Sequence, residues 1–564
     1  MKKHVVFILS AVLILTLLSG CAGGTEPTAA PEVATDQPAA AVQTAEEPVA
    51  TEAPVEATQA ATEAPAAPVS DEPTELHFAM AVVPTNLDVV MNTADDAAEV
   101  AVGPIFEQLV AMNKQYEPVP ELATDWVMSE DATTYTYHLR QGILFHNGEE
   151  MKAADVVASM NRWLDNAANA QSLTGDARFY EVDEYTVEIK MAVGSPYLNL
   201  MIGGLGQHAA IMPASVVEDV DAETGLIKEY IGTGPYKLDS WVENQYIKLV
   251  RNEEYQPYGV EGDYSGWAGY KHAYIDTVYF DFVADANTIV AGIQTGEYDA
   301  TASLSNDNYD MFAADDNYYI ISAESEQPAL IFNKSQGWGA DAKFRQAVAA
   351  LLNIDDILFA AYGNTDFYNM YSSYMFESQT DWYTDRGSEY YNVQDTEKAL
   401  ALFEEAGFTP NDTFTLLVAS DSPDFYSMAI VIQNQFTAAG LKCDLLVYDW
   451  STFVDVRNNQ PDKYNAFITS FSEKVLPNMN LFLSPTWAGW CTDERIVNDL
   501  ASIATQTDIP VAQQTWYDLQ EYMWAESMPI VKFGNTVVWG VVNKKVQGMD
   551  YFNWVTFVDA QIVE

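Results

Sequence analysis

Three cysteines in 564 residues leave little room for thiol chemistry. Cys21 stands near the start, and only Cys443 and Cys491 lie beyond it. No Cys-x-x-Cys occurs, which excludes the usual zinc-binding and dithiol redox patterns. Histidine is nearly as scarce, and His4, His77, His138, His146, His208 and His272 show no close-paired ligand spacing. Basic residues are few: 26 Lys and Arg stand against 82 Asp and Glu, a net charge of −56. Neutralising phosphates requires Lys and Arg, so this balance excludes nucleic acid as a partner. Neither Gly-x-Ser-x-Gly nor a phosphate loop is present. Past the N-terminus no apolar run approaches the roughly 20 residues that a membrane-spanning helix needs.

What is present is a globular chain with an exported look. Hydrophobic residues make up 48% and aromatics 12%, enough for two to four domains with proper cores. At the start, Lys2 and Lys3 precede the apolar run Val5–Leu18, and small residues lead to Cys21. That order is a secretory signal peptide over residues 1–20. Leu18-Ser19-Gly20-Cys21 resembles the bacterial lipobox, which implies lipidation of Cys21 and anchorage at a membrane surface. Buried acyl chains would supply about 0.8 kcal/mol per methylene. Residues 21–75 then read as a tether of Ala, Pro, Thr, Glu, Val and Gln without a Lys, Arg or aromatic residue. Residues 1–75 hold only 11 of the 82 acidic residues, so the acidity belongs to the globule. It serves solubility, or a field that attracts cationic ligands. Export permits a Cys443–Cys491 disulfide; two free, buried thiols fit equally well.

From Leu76 onward strands and helices alternate. Strands are expected at 76–80, 135–139, 186–189, 246–250 and 278–282, with short buried strands at 441–447 and 466–469. Helices are expected at 287–294 with a stop at Gly296, and near 343–360, 395–406, 426–439, 493–504 and 511–525. The stretch LRQGILFHNGEEMKAADVVASMNR (139–162) gathers His146, Glu149, Glu150 and Asp155 into ten positions. It reads as a strand end, a turn at Asn147-Gly148, and a helix whose first turn Asp155 serves. Structural duties therefore account for its carboxylates, and no nucleophile or metal partner accompanies His146.

That stretch also resembles the signature of the family 5 extracellular solute-binding proteins, the peptide, nickel, opine and oligosaccharide-binding lipoproteins of ABC importers. Further similar segments follow in order: GTGPYKLDSW (232–241), RNEEY (251–255), IQTGEYDA (293–300), KFRQAVAALLNIDDI (343–357), EKALALFEEAG (397–407), YDWSTF (448–453) and AESMPIV (525–531). The resemblance implies an α/β, two-lobed periplasmic-binding-protein-like fold (type II, cluster C-like). Lobe I would comprise 76–105, 231–325 and 532–564, with residues 106–230 as its extra subdomain and 326–531 as lobe II. The chain would cross between lobes near Ser325–Ile331 and Pro529–Phe533. It implies ligand capture by closure rather than catalysis, no cofactor, a monomer at the cell surface or in the periplasm, and a permease with ATPase subunits as partners.

Site residues follow from the same resemblance. Peptide binders of the family carry Trp-x-x-Asp-x-x-Asp-Pro-Asp, whose first Asp pairs with the ligand amine. The matching stretch here is SFSEKVLPNMNLF (470–482), where Ser470 replaces the tryptophan and Glu473 stands for the aspartate. The arginine that dipeptide binders use for the ligand carboxylate is missing from VASDSPDFYSM (418–428). A longer peptide, a cationic small molecule or an oligosaccharide survives that loss. Trp450, Trp487 and Trp490 are candidate aromatic platforms, and Val83 and Asn86 mark the loop that brings backbone to the ligand. From other classes, a surface glycosidase using Glu149 and Glu150 needs two converging carboxyls, and a binding protein could serve a sensor instead of an importer.

Overall fold

The computed structural model describes residues 73–302 and 304–563. The expected signal peptide, Cys21 and nearly all of the expected tether lie outside the described residues. The folded chain begins slightly before position 76: the first strand is Glu75–Met80, and the Thr74 amide and hydroxyl donate to Asp276 at 2.7 and 2.9 Å.

Two principal sheets carry the architecture. The larger runs in the order Tyr318–Glu324, Asn535–Asn543, Ala300–Thr301, Glu75–Met80, Thr277–Phe282, Tyr246–Arg251, Tyr236–Val242. The second runs Lys442–Tyr448, Thr413–Ala419, Ala466–Ser472, Glu326–Phe332, Ile530–Lys532. Its inner strands are continuous buried runs, Ala329–Phe332, Leu416–Ala419 and Ala466–Ile468, as befits strands covered by helices on both faces. An antiparallel sheet of Ala123–Met128, Thr134–Leu139, Thr186–Lys190 and Phe179–Asp183 lies apart from both. The chain leaves the large sheet at Glu324 and enters the second at Glu326; it returns between Lys532 and Asn535. Among the described residues no helix is long and apolar enough to cross a membrane.

Part of the acidity has local work. Six helices accept a backbone N–H on the side chain of an N-terminal aspartate: Asp285, Asp341, Asp395, Asp449, Asp493 and Asp508. Each satisfies a free donor and faces the positive end of the helix dipole. Two expected helices need correction. The stretch 343–360 is two helices, Ala342–Leu351 and Ile354–Tyr362, because Asn353 caps the second one. The last, expected at 511–525, is Ile509–Tyr522 followed by a π turn, Met523–Ser527, that ends at Met528 with φ +44°. Arg345 holds that strained exit by donating to the carbonyls of Ser527 and Met528 at 2.5 and 2.9 Å.

Buried ion pairs join the segment 106–230 to its surroundings. Lys271, only 1% exposed, binds Glu107 at 3.1 Å and Glu121 at 2.5 Å. Burial opposes the ammonium, but Glu121 and Glu107 overcome it and hold the Lys271 pKa well above the usual value. Arg162 forks onto buried Asp88 at 3.0 and 2.5 Å. Cys443 and Cys491 are both free and buried.

The stretch 139–162 is a fold landmark. The Lys152 amide donates to Asp155 at 3.0 Å, closing the capping interaction expected of the helix Ala153–Asn166. Glu150 accepts from the Gly142 amide and the Tyr185 hydroxyl at 3.0 and 2.8 Å, and Glu149 accepts from Asn147 at 2.9 Å. His146 Nε2 lies 3.0 Å from the Gly234 carbonyl, and burial pushes its pKa down to about 4, so the ring is neutral.

Candidate ligand cleft

Glu473 follows directly on the strand Ala466–Ser472 and points out of the second sheet into the contact with the rest of the chain. Its side chain is 5% exposed. The carboxyl accepts a short hydrogen bond from the Tyr116 hydroxyl and a weak one from Ser378 Oγ at 3.5 Å. The Tyr116 hydroxyl in turn accepts from Asn553 Nδ2 at 2.9 Å.

Local geometry explains how four distant positions meet. Tyr116, at φ +61°, turns the chain between the paired strands Val110–Met112 and Pro118–Pro120. Asn553, at φ +61°, is the one-residue turn between Asp550–Phe552 and Trp554–Thr556. Asn tolerates that left-handed conformation better than most residues. Gln379 fastens the loop behind Glu473: its Nε2 donates to the Lys474 carbonyl at 2.7 Å, and its Oε1 accepts from the Phe376 amide at 3.0 Å.

The electrostatics are unusual. Glu473 has hydroxyl donors and no ion pair among the described residues. Burial pushes its pKa up; the Tyr116 hydrogen bond works downward and the field of Glu324 upward, leaving it at about 8. The Tyr116 phenol, buried and beside a carboxyl, is held well above its usual pKa and remains a donor. A cation placed against Glu473 would meet a dry carboxyl that makes no ion pair among the described residues and feels the field of the neighbouring Lys474.

The segment 106–230 also touches the chain beyond position 326. Ser195 Oγ lies 3.5 Å from the Ala504 carbonyl, and the rings of Tyr197 and Trp382 are 6.0 Å apart. A cavity of about 30 Å³ between Trp163, Leu200, Met201 and Leu205 on one side and Val475 and Met479 on the other holds roughly one water.

The other expected site residues make contacts of their own. Trp450 opens the helix Trp450–Asn459 and stacks on Phe453 at 5.3 Å. Trp487 packs on Phe467 and Phe471 at 5.7 and 5.4 Å, with the Arg457 guanidinium 5.2 Å above its ring. Trp490, at φ +43°, closes a turn by donating its amide to the Trp487 carbonyl at 2.8 Å. Asn86 Oδ1 caps the Asp88 amide at 3.0 Å, and its carbonyl takes Asn92 Nδ2 at 2.8 Å; Val83 is half-buried in the same loop. None of these five bonds to Glu473, Tyr116 or Asn553 among the described residues. Trp487→Ala is accordingly expected to lower stability by about 3 kcal/mol in chemical denaturation and to leave ligand affinity within twofold. Tyr116, Asn553, Ser378 and Gln379 escaped sequence reading, because each sits in a loop and only tertiary folding brings it to Glu473.

Comparison with known proteins agrees with this architecture. The family model for bacterial extracellular solute-binding proteins, family 5, matches residues 117–490. A probable peptide ABC transporter periplasmic-binding protein of Sinorhizobium fredii is 27% identical, over 79% of this chain and 86% of its own length. A glutathione-binding protein of Escherichia coli is 25% identical, over 78% and 85%. Among solved structures, HbpA2 of Haemophilus parasuis matches with a TM-score of 0.74 at 20% identity, over 87% of this chain and all of that one. The matched span exceeds half of the sequence, the fold is the expected two-lobed α/β type, and the relatives are substrate-binding rather than catalytic proteins; the chain belongs to the bacterial extracellular solute-binding proteins, family 5.

Proposed function

We propose that this protein is the lipid-anchored binding component of an ABC importer, tethered through Cys21, and that it captures a peptide by its free amino terminus. Lobe I comprises 76–105, 231–325 and 532–564 with the subdomain 106–230, and lobe II comprises 326–531; their closure brings Tyr116 and Asn553 onto Glu473. The observation that carries the reading is Glu473 itself, a nearly dry carboxyl with hydroxyl partners and no ion pair. An ammonium supplies the missing charge, and Tyr116 and Ser378 orient the carboxylate that receives it. The Sinorhizobium relative, a probable peptide-transporter binding protein, and the Escherichia glutathione-binding protein support the same ligand class.

Thermal melting against a peptide pool and an oligosaccharide pool tests the assignment. A ligand that binds only the folded state, at 100 times its Kd, adds about 2.7 kcal/mol. Peptides are expected to raise the melting temperature, and amino-terminal acetylation to abolish the shift. A shift with oligosaccharides alone would assign the cleft to sugars and remove the role given to Glu473.

A further inference from the structure

Resting on the peptide reading, we propose that Glu324 is a second cation site of the same cleft, so that the preferred ligand carries a basic side chain as well as a free amino terminus. Glu324 ends the strand Tyr318–Glu324, one residue before the chain crosses to the second sheet. Its carboxylate collects three neutral donors: Asn369 Nδ2 at 2.7 Å, the Tyr371 hydroxyl at 2.6 Å and Asn535 Nδ2 at 3.5 Å. It takes part in no ion pair among the described residues.

Asn535 adds an independent sign. Its side chain is 0% exposed, yet its Oδ1 has no hydrogen-bond partner among the described residues. A buried amide oxygen left alone costs about 1–3 kcal/mol. The orphan oxygen belongs to the amide that donates to Glu324, and a guanidinium or ammonium would give the carboxylate charged donors in place of neutral ones.

Lys532, a buried lysine on which Glu324 acts, is engaged by other groups. Lys532 donates to the Ser373 carbonyl and sits 4.1 Å from the centroid of the Tyr371 ring. Its burial holds the pKa well below the usual lysine value, with Glu324 pulling the other way.

Glu324 and Glu473 bracket one loop. Tyr371, bound to Glu324, accepts the Glu377 amide at 3.3 Å; the next residue, Ser378, reaches Glu473 at 3.5 Å. Tyr371, whose ring already carries Lys532, meets Tyr383 edge to face at 5.5 Å along this path. The missing cation at 418–428 fits the same logic: the cleft is arranged for positive charge, and a ligand with an acidic side chain here would meet a like charge.

Calorimetric titration of the full chain with alanine pentapeptides tests this. Each peptide carries one lysine or one norleucine at positions two to four, with free or acetylated amino terminus. We expect at least one lysine peptide to bind at least tenfold more tightly than its norleucine twin. Glu324→Gln should bring that ratio near one, the ratio being read within the variant so that the change in field at Glu473, which both peptides share, cancels. Equal affinity of every wild-type pair would overturn the second site and leave the amine reading standing, provided acetylation still weakens binding. A preference that persists in Glu324→Gln would remove Glu324 from the role. If no pentapeptide binds the wild type, the peptide reading itself fails.

Discussion

Glu473→Gln is expected to weaken binding of a free-amine peptide about ten- to a hundredfold, the worth of one hydrogen bond to a charged group in a dry site. Three linked effects distinguish this loss from simple damage. First, the wild-type carboxyl of unliganded protein titrates at about 8, whereas the ammonium needs it ionised. Affinity should therefore fall about tenfold for each pH unit below 8, and fall again above it as the α-amine, whose own pKa is about 8, deprotonates. The variant should show no such slope on the acid side. Second, an acid whose folded pKa is raised contributes stability below its unfolded pKa and loses it as pH rises through the folded one. Unliganded wild type should thus weaken between the ordinary glutamate range and about pH 8, and Glu473→Gln should melt higher than wild type at pH 8. Third, acetylated peptide should bind wild type and variant alike. A variant that is less stable than wild type at pH 8 would show that Glu473 is structural.

Lys271→Met should cost about 3–5 kcal/mol of folding stability, among the largest effects of any single substitution here. It leaves Glu107 and Glu121 facing each other in the interior, 1% and 7% exposed at their side chains, without the ammonium that both now hold. Tyr255 and Thr233 remain to donate to Glu107 at 2.8 and 2.9 Å, and the Gln108 amide to Glu121 at 2.6 Å. Those neutral donors do not replace a charge. Denaturation with urea measures the loss directly. The deficit should shrink as pH falls and the two carboxyls protonate. It should also largely recover in the triple variant Lys271→Met/Glu107→Gln/Glu121→Gln, because the cost lies in unpaired charge rather than in missing volume. A deficit that stays the same across pH would place the cause in packing.

The fold was largely legible because periodicity and caps are local signals. Alternation at 246–250 and 278–282 found paired strands, and Asp155 announced the start of its helix. Where the reading slipped, a single local feature decided the matter. Asn353 capped a new helix inside an apolar stretch that looks continuous, and the π turn at Met523–Ser527 has no sequence period of its own. Glu473 could be proposed because a proline-bearing motif survives around it. Its partners could not: Tyr116 and Asn553 lie 357 and 80 positions away along the sequence, each in a tight turn whose chemistry says only that the chain reverses. The tryptophans show how little composition says about a platform: Trp450 and Trp487, both half-buried, pack against Phe453, Phe467 and Phe471. Glu324 and Asn535 carry no motif and become conspicuous only when the hydrogen bonds of each buried polar atom are followed to their ends.

The most direct test of the account is proton counting. Titrating the wild type with a free-amine peptide at pH 7, in two buffers of different ionisation enthalpy, reports how many protons binding releases. A carboxyl with a pKa of about 8 is mostly protonated at pH 7 and must ionise to hold an ammonium, so the account predicts close to one proton released per peptide bound, and none for Glu473→Gln. Tight binding with no proton released by the wild type would contradict it.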